Sequence, residues 1–462
     1  MTDARASYPG TIGVLGLWHL GSVTAACLAE AGYDVLAVDP DKAVIDGLID
    51  GRPPISEPGL PELLTECAAR LRFSSDPQAL AEASAAWVTF DTPVDDDDNA
   101  DVESVFAHAV PMLAALPDEA LVIVSSQLPV GSAAQLQARC ASVRGRDDLR
   151  FACIPENLRL GGALQAFRSP ERFVAGVRTD RDREELAGLL APFGADVEWM
   201  RVESAEMTKH ALNGFLATSV AFINEVAAIC ESVGADAAEV SRGLKSERRI
   251  GPRAYLAPGD AFAGGTLARD IGFLRGLAAQ HSLPDDVFAG VAAGNAAHKG
   301  WAQRKLLLLL GDENDDAAPL SGITVAVWGL TYKPGTDTLR RSSAVELCRW
   351  LGAQGARVQA HDPAVSALPP DLAGVISPCE SPEAAADGAS ALVVSTAWPQ
   401  YRDVAAASLL SRLQRPIVLD AAGFLADSLG GEPAVSYVHV GSPEQPTPAR
   451  AAERGQPQRT AS

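Results

Sequence analysis

Hydrophobic positions change their period twice between residues 11 and 39. Thr11-Ile-Gly-Val-Leu15 is a short unbroken apolar run, the pattern of a strand buried on both faces. Gly16 follows, a helical pattern runs from about Leu20 to Ala31, and after Gly32 a second apolar run, Tyr33–Val38, ends in Asp39. This is a β-α-β unit of roughly 30 residues. Further strands are predicted at Ala85–Phe90, Leu121–Val124 and Phe173–Gly176, separated by helical stretches, which makes a parallel, doubly wound sheet. From Ser204 to Val233 the period is helical throughout and no proline interrupts it. Helical patterning continues to about Leu310, and the acidic, turn-rich Gly311–Pro319 reads as a linker. The alternation then restarts with strands at Ile323–Trp328, Arg357–His361, Ala391–Ser395 and Pro416–Asp420 and a helix at Ser343–Ala353.

The expected fold class is α/β: two Rossmann-like parallel-sheet domains joined by a helical central domain. The boundaries are placed at 8–203, 204–310 and 320–440, with a Pro-, Gln- and Arg-rich tail, 441–462, expected to be disordered. Charge narrows the partners. With 59 Asp and Glu against 38 Lys and Arg the formal net charge is −21, which disfavours nucleic acid and anionic membrane. Seven cysteines at 27, 67, 140, 153, 230, 348 and 379 form no CxxC or Cys/His cluster, so neither a zinc site nor a disulfide framework is indicated. The acidic run Asp95–Asp98 reads as a solvated loop, and no metal is expected. No signal-peptide layout or unbroken apolar run of membrane-spanning length is read from the chain, so a soluble, cytoplasmic protein is expected.

The first turn reads Gly16-Leu-Trp18-His19-Leu20-Gly21, with Asp39 at the end of the next strand. Gly16 and Gly21 suit the tight turn and the close helix–strand packing of a dinucleotide fingerprint, while Trp18 occupies the place of the middle glycine. Strand before, helix after and acid beyond point to NAD, since Asp39 would accept from the ribose hydroxyls and repel a 2′-phosphate.

An ordered set of motifs extends this. Gly51–Leu64, Thr92-Pro93, Asn99-Ala-Asp101, Pro129-Val-Gly131, Pro155-Glu156-Asn-Leu158-Arg159 and Ser204–Asn213 come first. Asn224-Glu225, Arg249-Ile-Gly251, Gly264-Gly265, Asp270, Gly329–Asp337, Arg340 and Asp362-Pro363 follow. Together they resemble the UDP-glucose/GDP-mannose dehydrogenase family from about Ile12 to Phe424. The resemblance implies NAD-dependent oxidation of a nucleotide-activated sugar and a homodimer formed through the central helices. In the family a cysteine captures the intermediate aldehyde, and a second oxidation and hydrolysis give the acid.

By that resemblance Lys209 and Asn213, four apart on one helical face, stabilise the developing alkoxide, with Asp270 and Glu156 as further catalytic groups. Thr92, Pro93 and Gln127 join the cofactor turn. Leu158, Arg159, Leu160, Arg249, Gly264, Gly265, Lys333 and Arg340 are the expected substrate contacts, the basic ones suited to a diphosphate. The family's cysteine is absent. Counted forward from Gly264-Gly265, the loop Thr266-Leu-Ala-Arg-Asp270 is one residue short, and Leu267 or a gap stands at the nucleophile. The family's second glutamate is Leu160, and its threonine before Val-Pro-Val-Gly is Gln127. Cys153 lies in the apolar run Phe151–Ile154, which predicts a buried thiol. The groups for thioester chemistry have gone together and those for one hydride transfer remain, so a two-electron oxidation to an aldehyde or ketone is expected. A full four-electron oxidation to the uronic acid and a silent nucleotide-sugar-binding homologue stay open as alternatives.

Overall fold

The computed structural model describes residues 10–443 except 96–99, 157, 264, 313, 314 and 316. Contacts divide the chain into two compact units, one ending at Leu212 and one beginning at Asn213. Two packing relations underlie this division. Val202 and Ala205, at the start of the long helix Val202–Val233, pack into the core of the first sheet. Ala227, Cys230, Trp301 and Leu306 of the helical middle share one core with the second sheet.

The first unit is built on eight strands: β1 Thr11–Leu15, β2 Asp34–Val38, β3 Leu71–Ser74, β4 Ala83–Val88, β5 Leu121–Val124, β6 Arg150–Cys153, β7 Arg172–Gly176 and β8 Asp196–Met200. They are ordered β3-β2-β1-β4-β5-β6-β7-β8, so the strand order reverses beside β1. Such a reversal opens a crevice at the carboxyl ends of the strands. The pairs are parallel except β6 with β7, which meet antiparallel at Cys153 and Gly176; the fully parallel sheet expected is corrected there. Apolar side chains fill both faces, as the two core clusters beside Ile12 and Leu15 require.

In the second unit six parallel strands, β9 Thr324–Trp328, β10 Arg357–His361, β11 Ile376–Pro378, β12 Ala391–Val394, β13 Ile417–Asp420 and β14 Ser436–Val438, run in the order β11-β10-β9-β12-β13-β14. Helices Ala237–Ser246, Thr266–Gln280, Asp286–Lys299 and Trp301–Leu310 precede them. The long helix is apolar enough, by length and composition, to pass the test for a membrane span. Polar residues such as Lys209, Asn213 and Asn224 interrupt its apolar character.

The first residue of the expected tail is held by hydrogen bonds. Gly441 accepts the Ala237 N–H at 3.0 Å and donates to Glu231 at 2.9 Å, so the chain is pinned to the helical region at that point. Residues 444–462 lie outside the described part.

Candidate functional site

In the first unit, Gly16 closes the turn after β1 with φ +89° and donates its N–H to Val38 O at 3.0 Å. A Cβ at Gly16 would lie 2.6 Å from the Phe90 ring, and one at Gly21 would lie 1.8 Å from the Gly16 carbonyl oxygen. Both positions therefore require glycine, one for its backbone and the other for the close approach. Trp18 requires none: its φ is −74°, open to any residue, and it is 45% exposed. It precedes the helix His19–Glu30 and offers no side-chain cap. The first-turn N–H groups of an uncapped helix suit an anion such as a pyrophosphate.

Asp39 is nearly buried at the end of β2, where it accepts the Leu17 N–H at 2.6 Å and the Asp41 N–H at 2.9 Å on different oxygens. Each oxygen keeps a further lone pair, so the carboxylate can hold the turn and still accept from a ribose. His19 pairs with buried Glu57 at 2.9 Å. Glu57 also accepts the N–H groups of Gly161 at 2.7 Å and Ala163 at 2.8 Å. Burial opposes ionisation of Glu57, but these donors and the His19 ring hold its carboxyl below the ordinary range. Leu20 continues the helix, and Thr92 donates to the Gln127 carbonyl at 2.8 Å, bringing the second part of the expected cofactor set together. Pro93 accepts from the Asp101 N–H at 2.8 Å; Asp96–Asn99 lie outside the described residues.

Glu156 and Lys209 line a cavity of ≈ 20 Å³ with Ser126, Gln127, Cys153 and His210. That is room for about one water. Burial pushes the Glu156 carboxyl up, against the attraction of Lys209 and the bond it accepts from the Leu158 N–H. Glu206 bonds the N–H groups of Gly131 at 2.7 Å and Ala133 at 2.9 Å, fixing the start of helix Ser132–Arg144 beside the cavity. His210 bonds the Leu128 carbonyl at 2.9 Å. Burial, reinforced by Glu206 and Glu203, raises the Cys153 thiol well above its ordinary value, the opposite of an activated nucleophile. Leu158 packs against the core, whereas Arg159 is exposed and Leu160 half-buried on the same loop.

In the second unit Asn213 donates its amide to Asp270, and both are buried. Asp270 lies one turn into the helix Thr266–Gln280, which follows Gly265 at φ +104°. Gly264 lies outside the described residues. A Cβ on Gly265 would lie 3.7 Å from the Arg341 guanidinium and 3.9 Å from the Tyr332 hydroxyl, so its loop adjoins the one after β9. Arg341 holds a left-handed φ of +60°, an uncommon state for a branchless but bulky residue. Sequence reading singled out Lys333 and Arg340 on that loop and passed over Tyr332 and Arg341, which lie directly beside them. Lys333 is half-buried and Arg340 exposed. Arg249 is fully out in solvent on Glu247, at 3.0 Å, and is not gathered to these groups.

Comparison with known proteins decides what this arrangement belongs to. The family model "UDP-glucose/GDP-mannose dehydrogenase family, NAD binding domain" matches residues 10–194, the central-domain model 203–297, and the UDP-binding-domain model 326–427. The chain belongs to the UDP-glucose/GDP-mannose dehydrogenase family. The UDP-glucose 6-dehydrogenase of Pseudomonas aeruginosa is 34% identical over 446 residues, covering 93% of this chain and 97% of that protein. That of Rhizobium meliloti is 31% identical over 442 residues, covering 94% and 100%. The structure of a UDP-glucose dehydrogenase from the archaeon Pyrobaculum islandicum superposes with a TM-score of 0.83 at 29% identity, over 96% of this chain and 100% of that one. The chain is thus an NAD-dependent oxidoreductase of nucleotide sugars, and the silent-binder alternative is set aside. The fit of NAD to the first turn rests on the two obligatory glycines, the uncapped helix start and the oriented Asp39.

Proposed function

We propose that this family member removes a single hydride from a nucleotide-activated sugar, converting an alcohol to a ketone or aldehyde. The observation that supports the reading best is the loop before Asp270, which carries no thiol. Leu267 or a gap stands at the family's cysteine position, and Thr266, which begins the helix Thr266–Gln280, offers a hydroxyl beside it. A threonine hydroxyl is a weak nucleophile unless a base activates it. Cys153, the cysteine nearest in sequence to Glu156, has a thiol that burial keeps protonated.

When bound, NAD supplies the hydride acceptor. Lys209 stabilises the negative charge that grows on the substrate oxygen, and Asn213, oriented by Asp270, adds a hydrogen-bond donor. Glu156, whose carboxyl is raised by burial in a cavity of one-water size, is suited to exchange the alcohol proton through water. Lys333, Arg340 and the Gly265 backbone serve the diphosphate, and the P. aeruginosa and R. meliloti relatives make UDP-glucose the first substrate to test. A second copy of the chain is the proposed partner. Phe215, Phe222 and Ile229, seven residues apart on the long helix, are 69, 48 and 62% exposed, an apolar stripe at coiled-coil spacing.

The deciding experiment incubates the protein with NAD and a panel of UDP- and GDP-sugars while recording NADH absorbance and product mass together. One NADH per sugar and a product lighter by two hydrogens is expected. A uronic acid with two NADH per sugar overturns the two-electron reading.

A further inference from the structure

We infer that Glu57 is a positioning residue that couples the cofactor turn to the loop that follows β6. Its carboxylate is almost wholly buried and receives three donors from two places. The His19 ring, on the first residue of the cofactor helix, lies 2.9 Å from Oε2. The Gly161 N–H lies 2.7 Å from the same oxygen, and the Ala163 N–H lies 2.8 Å from Oε1. The last bond satisfies the start of helix Ala163–Arg168, whose own N-cap, Gly162, has no side chain to do so.

The consequence is mechanical. His19 sits in the helical turn whose N–H groups would hold a pyrophosphate, and a ligand that orders this turn would fix the imidazole. A fixed imidazole holds the Glu57 carboxylate, and the carboxylate holds Gly161 and Ala163 by their backbones. Order gained at one end therefore need not be gained again at the other, which makes binding at the two ends mutually favourable. The loop so held begins at Leu158, Arg159 and Leu160. The significance of the coupling for substrate binding, though not the coupling itself, rests on the proposed reading of that loop as a sugar-nucleotide contact.

Hydrogen–deuterium exchange of the peptide spanning residues 158–168, with and without saturating NADH, tests this, with NADH affinity measured by its fluorescence in the same samples. Wild-type protein is expected to show slower exchange in this peptide on adding NADH. His19→Leu still binds NADH, weakened by about tenfold or less, but loses that protection. His19→Gln, which keeps a donor toward Glu57, restores it. Glu57→Gln loses it as well, because one of its three donors then meets an amide N–H₂; His19→Leu covers the case in which this variant does not fold. Undiminished protection in His19→Leu, or wild-type binding without protection, overturns the coupling. Absence of NADH binding to the wild type overturns the cofactor seat instead. If 158–168 responds to NADH but UDP-glucose neither alters its exchange nor tightens NADH, the coupling stands and the substrate reading of the loop fails.

Discussion

Asn213 hands its side-chain amide to Asp270, a carboxylate with no exposed surface, so that the orientation of one is set by the other. Substituting Asp270→Asn keeps an acceptor for the amide but removes the charge. The expected result is a fall in kcat of about a hundredfold or more with little change in melting temperature. Asp270→Ala leaves the Asn213 amide buried without that acceptor and adds a loss of about 1–3 kcal/mol of stability. Near wild-type kcat in Asp270→Asn would remove Asp270 from the chemistry.

Asp39 is the residue proposed to set the choice of cofactor. Its carboxylate already fixes Leu17 at 2.6 Å and would repel a phosphate on the adjacent ribose. NADH is expected to bind more tightly than NADPH, and Asp39→Ser to cut that preference by about tenfold or more. Titration of the two dinucleotides against both proteins measures it. Equal affinity of the wild type for both would refute the assignment.

Much of this architecture was legible because periodicity survives in unbroken apolar runs. β1, β5 and β10 and the helix Ser343–Ala353 fall on the residues patterning predicts. β3, β6 and β8 were not foreseen: Leu71–Ser74, Arg150–Cys153 and Asp196–Met200 are short and carry one or two charged residues in four or five positions, too little to set a period. Motif order located Asn213 and Asp270, yet no motif could reveal that they bond to each other. Glu57 lay inside a quoted segment, Gly51–Leu64, and its partners are 38 to 106 residues away, so only folding brings its role into view. The same is true of the repeated turn. Asp362 accepts the Leu330 N–H at 2.7 Å after β10 as Asp39 accepts that of Leu17 after β2, and both turns carry a Gly-Leu and an Asp-Pro pair whose bonding only the fold reveals.

Cys153 is expected to be dispensable. Its thiol is buried and raised by that burial, and by the nearby Glu206 and Glu203 charges, so little thiolate forms. Cys153→Ser should keep kcat within about threefold of wild type, and thiol-alkylating reagents should inactivate the native enzyme slowly. Complete loss of turnover in a folded Cys153→Ser protein, with an alkylated Cys153 found by peptide mass, would instead make it the replacement nucleophile.

Glu57 also predicts a pH dependence of stability. Its folded carboxyl lies below the ordinary range, so folding favours the ionised form. That contribution is fully present above the unfolded value of about 4.3 and is lost as pH falls through the lower folded value. The melting-temperature gap between wild type and Glu57→Gln should therefore be widest near neutrality and narrow once the pH drops below about 4. A gap that widens on acidification would reverse the sign and contradict the contacts described.

Glu231 ties the chain's last described turn to the helical region. One oxygen accepts the Trp301 indole N–H and the Gly441 N–H, each at 2.9 Å, and Lys305 pairs with the other at 3.1 Å. Trp301 is buried, so truncating Glu231 to alanine strips a bond from an indole that cannot turn to bulk water. Glu231→Ala should cost about 1–3 kcal/mol. Glu231→Gln should cost less, because its amide oxygen can keep the indole and Gly441 while only the Lys305 pairing weakens. Denaturant melts of the three proteins separate these terms. Equal stability of wild type and Glu231→Ala would mean that Gly441 and Trp301 are held by packing, with Gly441 against Ala237 and Ala227, and not by this carboxylate.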